Sequence, residues 1–212
     1  MSFPRPSLLL TIWICWSGHL CLAQTPAKGF HWDWHTSEEL TWKESISRSN
    51  TLSPRERDGL IKAVASQLRP NMSSESEQDL RKAAQTKIKA VDLSGQGTRE
   101  FVAQSVGDQS CSPTGNCEFW VLRQNGDESS VILHRIATQT FAIQPTRTNG
   151  LHDLILGQHG SATDTGLTLY RFDGSKYRRV ACFDANWEIL GKDGEYHQLE
   201  KPRMTPTICQ IR

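Results

Sequence analysis

The sequence lacks a strong charge of either sign and lacks the motifs that mark many enzyme families. Its 24 basic and 23 acidic residues give a formal net charge of +1 at pH 7. Such a balance gives none of the electrostatic attraction typical of proteins that bind nucleic acid or an anionic membrane. The chain has no glycine-rich phosphate-binding loop, no G-x-S-x-G nucleophile elbow and no paired C-x-x-C knuckles. We therefore predict no cofactor and no nucleic-acid partner.

Long apolar runs are missing except near the start of the chain. There Arg5 precedes the run SLLLTIWICWSGHLCLA, at residues 7–23. A basic flank, an apolar run and small residues at its end predict a signal peptide over residues 1–23, cleaved after Ala23. A transmembrane helix is the alternative, but polar and small residues at positions 17–19 interrupt the roughly 20 apolar residues that a span needs. We predict a secreted or periplasmic protein without stable membrane insertion.

Cysteine is scarce, and its spacing argues against zinc. Cleavage leaves four cysteines, and an even number in an exported chain favours disulfides. The run CSPTGNC can fold back on itself, so we predict the pairs Cys111–Cys117 and Cys182–Cys209. The chain-entropy model gives about 2.4 and about 3.6 kcal/mol for the two loops. Intervals of five, sixty-four and twenty-six residues do not resemble zinc knuckles.

Residues 24–52 form a tryptophan-rich segment with weak periodicity. We interpret it as an N-terminal arm that packs Trp32, Trp34 or Trp42 onto the body. The run HWDWH within it places His31 and His35 four residues apart, a spacing that could hold a transition metal on a helix. Because order is doubtful so close to the cleavage site, we predict no functional metal site there.

Two short helices are predicted over residues 53–85. The first begins with a capping box of Ser53 and Glu56, with proline at the first helical position. Apolar residues then fall on one helical face until Pro70. The second helix is predicted to start at Ser74, whose hydroxyl would accept from the amide of Glu77 while Glu77 bonds back.

From residue 86 to 212 the pattern is strand-like and ends in a C-terminal tail. The turn pairs Asn125-Gly126 and Asp173-Gly174 predict hairpins. We therefore predict an α+β fold, in which two short N-terminal helices pack on an antiparallel β-sheet or small sandwich.

The strand region also resembles itself. Shifted by 53 residues, GQGTREFVAQ lies over TNGLHDLILG, which matches Gly97 with Gly150 and Glu100 with Asp153. Further on, FWVLRQNG lies over LTLYRFDG, which matches Arg123 with Arg171 and the turn pair Asn125-Gly126 with Asp173-Gly174. We predict a degenerate two-copy β-repeat. The copies cover about residues 88–136 and 141–183.

The motifs DLSGQGTREFVA and YRFDGSKYRRV resemble FG-GAP/VCBS-type repeats, in which D-x-[DN]-x-D-G-x-x-[DE] precedes an apolar strand. The loop CSPTGNCEFW and the C-terminal tail are similar to uncharacterised secreted bacterial proteins, for which the resemblance implies no known activity. The resemblance implies strand units of the kind that form propeller blades, with loops that often hold calcium. Two copies cannot close a propeller, so a small sheet or sandwich is expected.

The first repeat loop offers few ligands for such an ion. Its oxygens come from Asp92, Ser94, Gln96 and Glu100, whereas calcium takes six to eight oxygens with several carboxylates. In the second copy Arg147 stands at the position of Ser94, and an arginine there repels a cation. We predict a degenerate loop without metal, whose two turn glycines are kept because the backbone needs positive φ.

The loop GQHGSATDTG brings His159, Ser161 and Asp164 close in sequence. These residue types could supply the base, nucleophile and acid of a hydrolase, which is our alternative function. We favour a non-catalytic binding or interaction domain that recognises an unknown protein or glycan of the cell envelope. Its predicted binding residues are Trp120, Arg147 and His159, although Trp120 could instead pack beneath the disulfide loop.

Overall fold

The computed structural model describes residues 38–39, 42–68, 76–97, 99–107, 110–126 and 128–209. This part of the chain contains two helices and ten strands. The elements are β1 (Glu38–Glu39), α1 (Pro54–Leu68), α2 (Glu77–Gln85), β2 (Lys87–Val91), β3 (Glu100–Gln104), β4 (Cys117–Asn125), β5 (Glu128–Thr138), β6 (Thr140–Thr148), β7 (Leu151–His159), β8 (Asp164–Phe172), β9 (Tyr177–Leu190) and β10 (Tyr196–Thr207).

The strands form two antiparallel sheets. The first sheet has the order β2-β3-β4-β5, and the second has the order β1-β6-β7-β8-β9-β10. From β2 to β5 and from β6 to β10, each strand pairs with the next one along the chain, so both sheets are meanders. The α+β prediction with antiparallel sheets is confirmed.

Helix α1 forms as its capping pattern predicts. The amide of Ser53 donates to Glu56 Oε2 at 2.7 Å, and the amide of Glu56 donates to Ser53 Oγ at 3.2 Å. These bonds satisfy two amides that have no partner inside the helix. The helix then buries Leu60 and Val64 completely.

The predicted start of the second helix at Ser74 is wrong. Helix α2 begins at Glu77 and is capped by Ser76, whose hydroxyl accepts from the amide of Asp79. The run SSESEQD contains two serine-x-x-acid patterns, and periodicity alone does not choose between them. The structure selects the second pattern because the Asp79 carboxylate is buried and needs the amide and hydroxyl of Ser76 as donors.

The two sheets pack face to face around a shared apolar core. Trp42, Phe119 and Phe141 meet there, with ring centroids 5.6 to 6.3 Å apart. Trp42 is therefore the residue of the predicted arm that packs on the body, whereas Trp32 and Trp34 lie outside the described residues. Helices α1 and α2 cover the other face of the first sheet, where Phe101, Trp120 and Leu122 are buried with the helical leucines and alanines.

The two meanders pair their strands in the same register. Positions in β2 and β3 correspond to positions 53 residues later in β6 and β7, and positions in β4 and β5 correspond to positions 48 residues later in β8 and β9. Corresponding pairs are Ile88–Ala103 and Phe141–Leu156, Phe101–Leu122 and Leu154–Tyr170, and Leu122–Val131 and Tyr170–Arg179. A register shift between Val121 and Leu122 also corresponds to one between Leu169 and Tyr170.

Both predicted hairpins and both predicted disulfides are present. Asn125-Gly126 joins β4 to β5, and Asp173-Gly174 lies between β8 and β9. The bonds Cys111–Cys117 and Cys182–Cys209 close the two loops.

Strand β10 forms one edge of the second sheet and pairs only with β9 among the described strands. It contains two prolines, Pro202 and Pro206, and most of its side chains are exposed.

No helix in the described part of the chain is both long and apolar enough to cross a membrane.

The turn glycines provide a first test. Gly97 and Gly150 have φ of +74° and +87°, as predicted, and a Cβ at either position would meet no atom within 4 Å. We expect Gly97→Ala and Gly150→Ala each to lower the free energy of unfolding by about 1 kcal/mol, through backbone strain alone. Urea denaturation measures this change.

Gly166→Ala is the matched control. Gly166 lies in β8 without positive φ, and the Cβ of an alanine there would come no closer than 3.9 Å to any other atom. It should leave the stability within about 0.5 kcal/mol of the parent. Equal effects of all three substitutions would contradict a conformational requirement at the two turns.

Candidate functional site

The loop at residues 92–97 is closed by hydrogen bonds to the Asp92 carboxylate. Asp92 Oδ1 accepts from the amide of Gly95 at 2.6 Å and from Ser94 Oγ at 3.0 Å, and Oδ2 accepts from the amide of Gly97 at 3.0 Å. The bond from Gly97 contributes most to lowering the pKa of the Asp92 carboxyl. No cluster of three histidine, cysteine or acidic side chains suited to a metal occurs among the described residues.

Arg147 connects this loop to the corresponding turn of the second sheet. Its Nη1 donates to the carbonyl of Ser94 at 2.9 Å, and its Nε donates to His152 Nε2 at 3.1 Å. The amide of His152 donates in turn to the carbonyl of Leu93 at 2.8 Å. Arg147, a predicted binding residue, is exposed, but its guanidinium already holds the two turns together.

Two buried carboxylates lie at matching positions of the two sheets. Glu100 pairs with Arg123 at 3.7 Å and Asp153 pairs with Arg171 at 3.4 Å, and each carboxylate is 2% exposed. Burial raises the pKa of Tyr177, and the nearby charges of both carboxylates raise it further. The cluster joins the sheets, since Arg123 of the first sheet also lies over the ring of Phe172 in the second.

His159, Ser161 and Asp164 do not form a catalytic relay in this structure. Ser161 Oγ donates directly to Asp164 Oδ2 at 2.9 Å, and both residues are exposed in a tight turn. The described hydrogen bonds of His159 involve its backbone and not its ring. A base between serine and acid, which a hydrolase triad needs, is therefore not in place.

The backbone of His159 is tied to the disulfide loop by one side chain. Asn116 Nδ2 donates to the carbonyl of His159 at 2.7 Å, and the amide of His159 donates to Asn116 Oδ1 at 2.8 Å. The side-chain amide of Asn116 thus bonds the backbone of His159 as a neighbouring strand would. It links the disulfide loop of the first sheet to the end of β7 in the second.

Trp120 does not lie on the surface, so it offers no exposed contact. It is fully buried beneath the helices and stacks on His134, with ring centroids 5.3 Å apart and planes 9° apart. The reason is strand alternation: Phe119 faces the second sheet and Trp120 faces the helices, and both faces are covered.

Trp120 nevertheless lines a small cavity, which we call the disulfide-side pocket. The pocket has a volume of about 200 Å³ and lies between the C-terminal ends of both helices, the end of β3 and the disulfide loop. It is lined by Leu68, Lys82, Gln85, Thr86, Ser105, Val106, Gly107, Ser110 and Trp120.

Two buried polar atoms of β4 have no partner within the described part of the chain, Nε1 of Trp120 and Oε2 of Glu118. Glu118 shares a sheet face with Trp120, because alternate strand residues point the same way, but it is not among the residues that line the pocket. Burial raises the pKa of the Glu118 carboxyl, and the charge of Lys82 opposes this effect.

The wall of the pocket is held rigidly. Ser105 Oγ donates to the carbonyl of Ser110 at 3.0 Å and accepts from the amide of Glu118 at 3.0 Å. The amide of Ser105 donates to the carbonyl of Glu118 at 2.9 Å, and the Cys111–Cys117 bond closes the adjoining loop. A wall fixed in this way loses little entropy when a ligand binds.

Sequence reasoning missed Lys82 as a residue of the pocket. Lys82 carried no signal, since it reads as an ordinary polar residue of an amphipathic helix.

Comparisons with protein-family models, with curated proteins and with solved structures each found no match to this chain. The function is therefore inferred from the geometry.

Replacing Asn116 tests the link between the disulfide loop and the second sheet. Asn116→Ala leaves the half-buried amide and carbonyl of His159 without partners, so we expect the free energy of unfolding to fall by about 1–3 kcal/mol in urea denaturation. Thr114→Ala is the control, because it removes an exposed hydrogen-bond acceptor of Asn116 Nδ2 and leaves both bonds to His159 in place. Equal losses from both substitutions would contradict the role of the tie.

Glu118 makes stability depend on pH in a defined direction. Burial raises the pKa of the folded Glu118 carboxyl above its ordinary value of 4.5, so the folded state binds this proton more tightly than the unfolded chain does. The carboxyl therefore costs stability as pH rises through and above 4.5. We expect the stability of Glu118→Gln relative to the parent to increase between pH 4 and pH 7, as measured by urea denaturation at each pH. A constant difference across this range would show that Glu118 titrates normally.

Proposed function

We propose that this chain is a non-catalytic binding domain, exported from the cell, that recognises a protein or glycan of the envelope. The supporting observation is the disulfide-side pocket, a cavity of about 200 Å³ whose wall is fixed by the hydrogen bonds of Ser105 and by the Cys111–Cys117 bond. A wall that is already ordered loses little entropy when a ligand binds. Preformed pockets with a few convergent polar groups are typical of ligand sites.

Export is supported by the two disulfides, which are compatible with a secreted or periplasmic protein. The proposed signal peptide, residues 1–23, lies outside the described residues. Protein recovered from the medium or periplasm should begin at Gln24, as N-terminal sequencing would establish.

We also propose that residues 88–136 and 141–183 are degenerate copies of one FG-GAP/VCBS-like unit. The matched registers, the corresponding bulges and the two buried acid–arginine pairs support this proposal. In both copies the acidic residue that follows the turn glycine pairs with an arginine on the next strand of the same sheet. Hydrogen bonds and Arg147 have replaced the ion in the loops.

The hydrolase alternative receives no support from the geometry of the 157–166 loop. Ser161 donates to Asp164 without an intervening base, and both residues face solvent. No second function is proposed on these residues.

Binding and catalysis can be separated on the exported protein. We expect saturable binding to components of an immobilised panel of envelope glycans and purified envelope proteins, measured by biolayer interferometry. Lys82→Met removes a charge that lines the pocket and should weaken this binding at least tenfold, about 1.4 kcal/mol, whereas Ser161→Ala should leave it unchanged. Hydrolysis of an ester reporter that disappears in Ser161→Ala would instead establish the hydrolase.

A further inference from the structure

Two adjoining cavities lie on the second sheet, beside the edge strand β5 of the first. They have volumes of about 260 and 370 Å³ and share Gln158, Gly166 and Asp184 as lining residues. Gln158 points toward the first sheet, because it lies two positions after the core residue Leu156. We call the two cavities together the polar groove. The lining residues that matter below are Arg135, Gln158, Asp164, Gly166, Arg179 and Asp184.

The floor of the polar groove has no side chain at its centre. Gly166 of β8 pairs with Gln158 of β7 on one side and with Asp184 of β9 on the other, and side chains paired in this way point to the same face of a sheet. A Cβ added at Gly166 would meet no atom closer than 3.9 Å. The sheet therefore has an open depression here, bordered by an amide and a carboxylate.

Charge is divided between the two ends of the polar groove. Arg135 and Arg179 both line the smaller cavity. The Arg135 guanidinium lies at this cavity, because its Nη2 donates to Gln158 Oε1 at 3.1 Å, and this neutral partner leaves its charge uncompensated. The larger cavity is lined by Asp164, Asp184 and Asn186 and by no arginine or lysine among the described residues.

We propose that the polar groove binds an oligosaccharide that carries one carboxylate, as a glycan with a uronic acid residue does. The site goes beyond the proposed function, since it shares no lining residue with the disulfide-side pocket. The sugar carboxylate accepts from the guanidinium groups at the arginine end, because the guanidinium fork matches carboxylate geometry. Hydroxyls of the adjoining sugar donate to Asp164 and Asp184.

The distribution of charge disfavours other ligands. A molecule with negative charge along its whole length would lie beside the two aspartates, and a cation would meet the two arginines. Like charges held close together repel. An acidic peptide has amide hydrogens of fixed direction, whereas each sugar hydroxyl can rotate to donate to a carboxylate or accept from an amide or a guanidinium.

The size and the rim of the polar groove fit a short ligand. Each cavity lies near the lower end of the roughly 300–1,000 Å³ of small-molecule sites, so each takes one sugar ring. Cys182 lines the smaller cavity and is bonded to Cys209, which fixes the neighbouring residues Thr207 and Ile208 at the same cavity. A rim held by a covalent bond loses little entropy on binding.

The experiment is calorimetric titration of the full exported protein with two acidic disaccharides, glucuronosyl-β-1,4-glucose and glucuronosyl-β-1,3-N-acetylglucosamine. The matched analogues have the carboxylate reduced to a primary alcohol, and the peptide N-acetyl-glutamyl-serinamide carries one carboxylate without a sugar. We expect at least one acidic disaccharide to bind saturably, and its reduced analogue and the peptide to bind at least tenfold more weakly. No binding of either disaccharide would overturn the proposal, as would equal binding of the reduced analogue or of the peptide.

Variants assign the binding to the polar groove. Arg135→Met and Arg179→Met each remove one guanidinium, and Gly166→Val fills the depression with a side chain that suits a strand. Each should weaken binding at least tenfold while the urea midpoint shows that the protein is folded. Arg178→Met is the matched control, because Arg178 is exposed on the same strand, bonds Asp173 and does not line the groove. Parental affinity in all three groove variants would overturn the proposal.

Lys82→Met separates this inference from the proposed function. It should leave the affinity for the acidic disaccharide unchanged, because Lys82 lines only the disulfide-side pocket among the cavities described. If an envelope component binds in a manner that depends on Lys82 and neither disaccharide binds, the proposed function stands and the groove assignment is wrong. If a disaccharide binds through Arg135 and no component of the panel depends on Lys82, the groove assignment stands and the role of the disulfide-side pocket is wrong.

Discussion

The structure depends on the face-to-face contact between the two sheets. A meander of four or five strands has an apolar face that it cannot bury by itself, so each sheet needs the other. The contact removes Phe119, Phe141 and Leu154 from water. The carboxylates of Glu100 in β3 and Asp153 in β7 are also buried. Because a buried carboxylate must be paired, the positions of the arginines on the neighbouring strands follow from the same contact.

The turns at one end of the sandwich are closed by hydrogen bonds within the chain. Amide and hydroxyl donors converge on the Asp92 carboxylate, while the Arg147 guanidinium from the second sheet supplies positive charge at the neighbouring carbonyl of Ser94. A carboxylate that accepts several amide hydrogens fixes the path of the turn around it.

The sequence predicted the features that arise from local patterns and left out those that need distant segments. Turn pairs, the first capping box and the glycines with positive φ each depend on a few adjacent residues, and the structure contains them. The disulfide-side pocket depends on Lys82 from α2, Ser105 after β3 and Trp120 from β4, which only the packed fold brings together. The serines before α2 show a limit even within local patterns, since two equivalent caps compete and burial of Asp79 decides.

The prolines of β10 also affect how the domain meets other molecules. An exposed strand edge with a continuous row of amides can recruit another strand and start aggregation. Pro202 and Pro206 carry no amide hydrogen, and proline in a strand occupies positions where that hydrogen would point away from the partner strand. The β10 edge of the larger sheet therefore presents an interrupted row of amide donors, and this interruption disfavours edge-to-edge pairing with a strand of another chain.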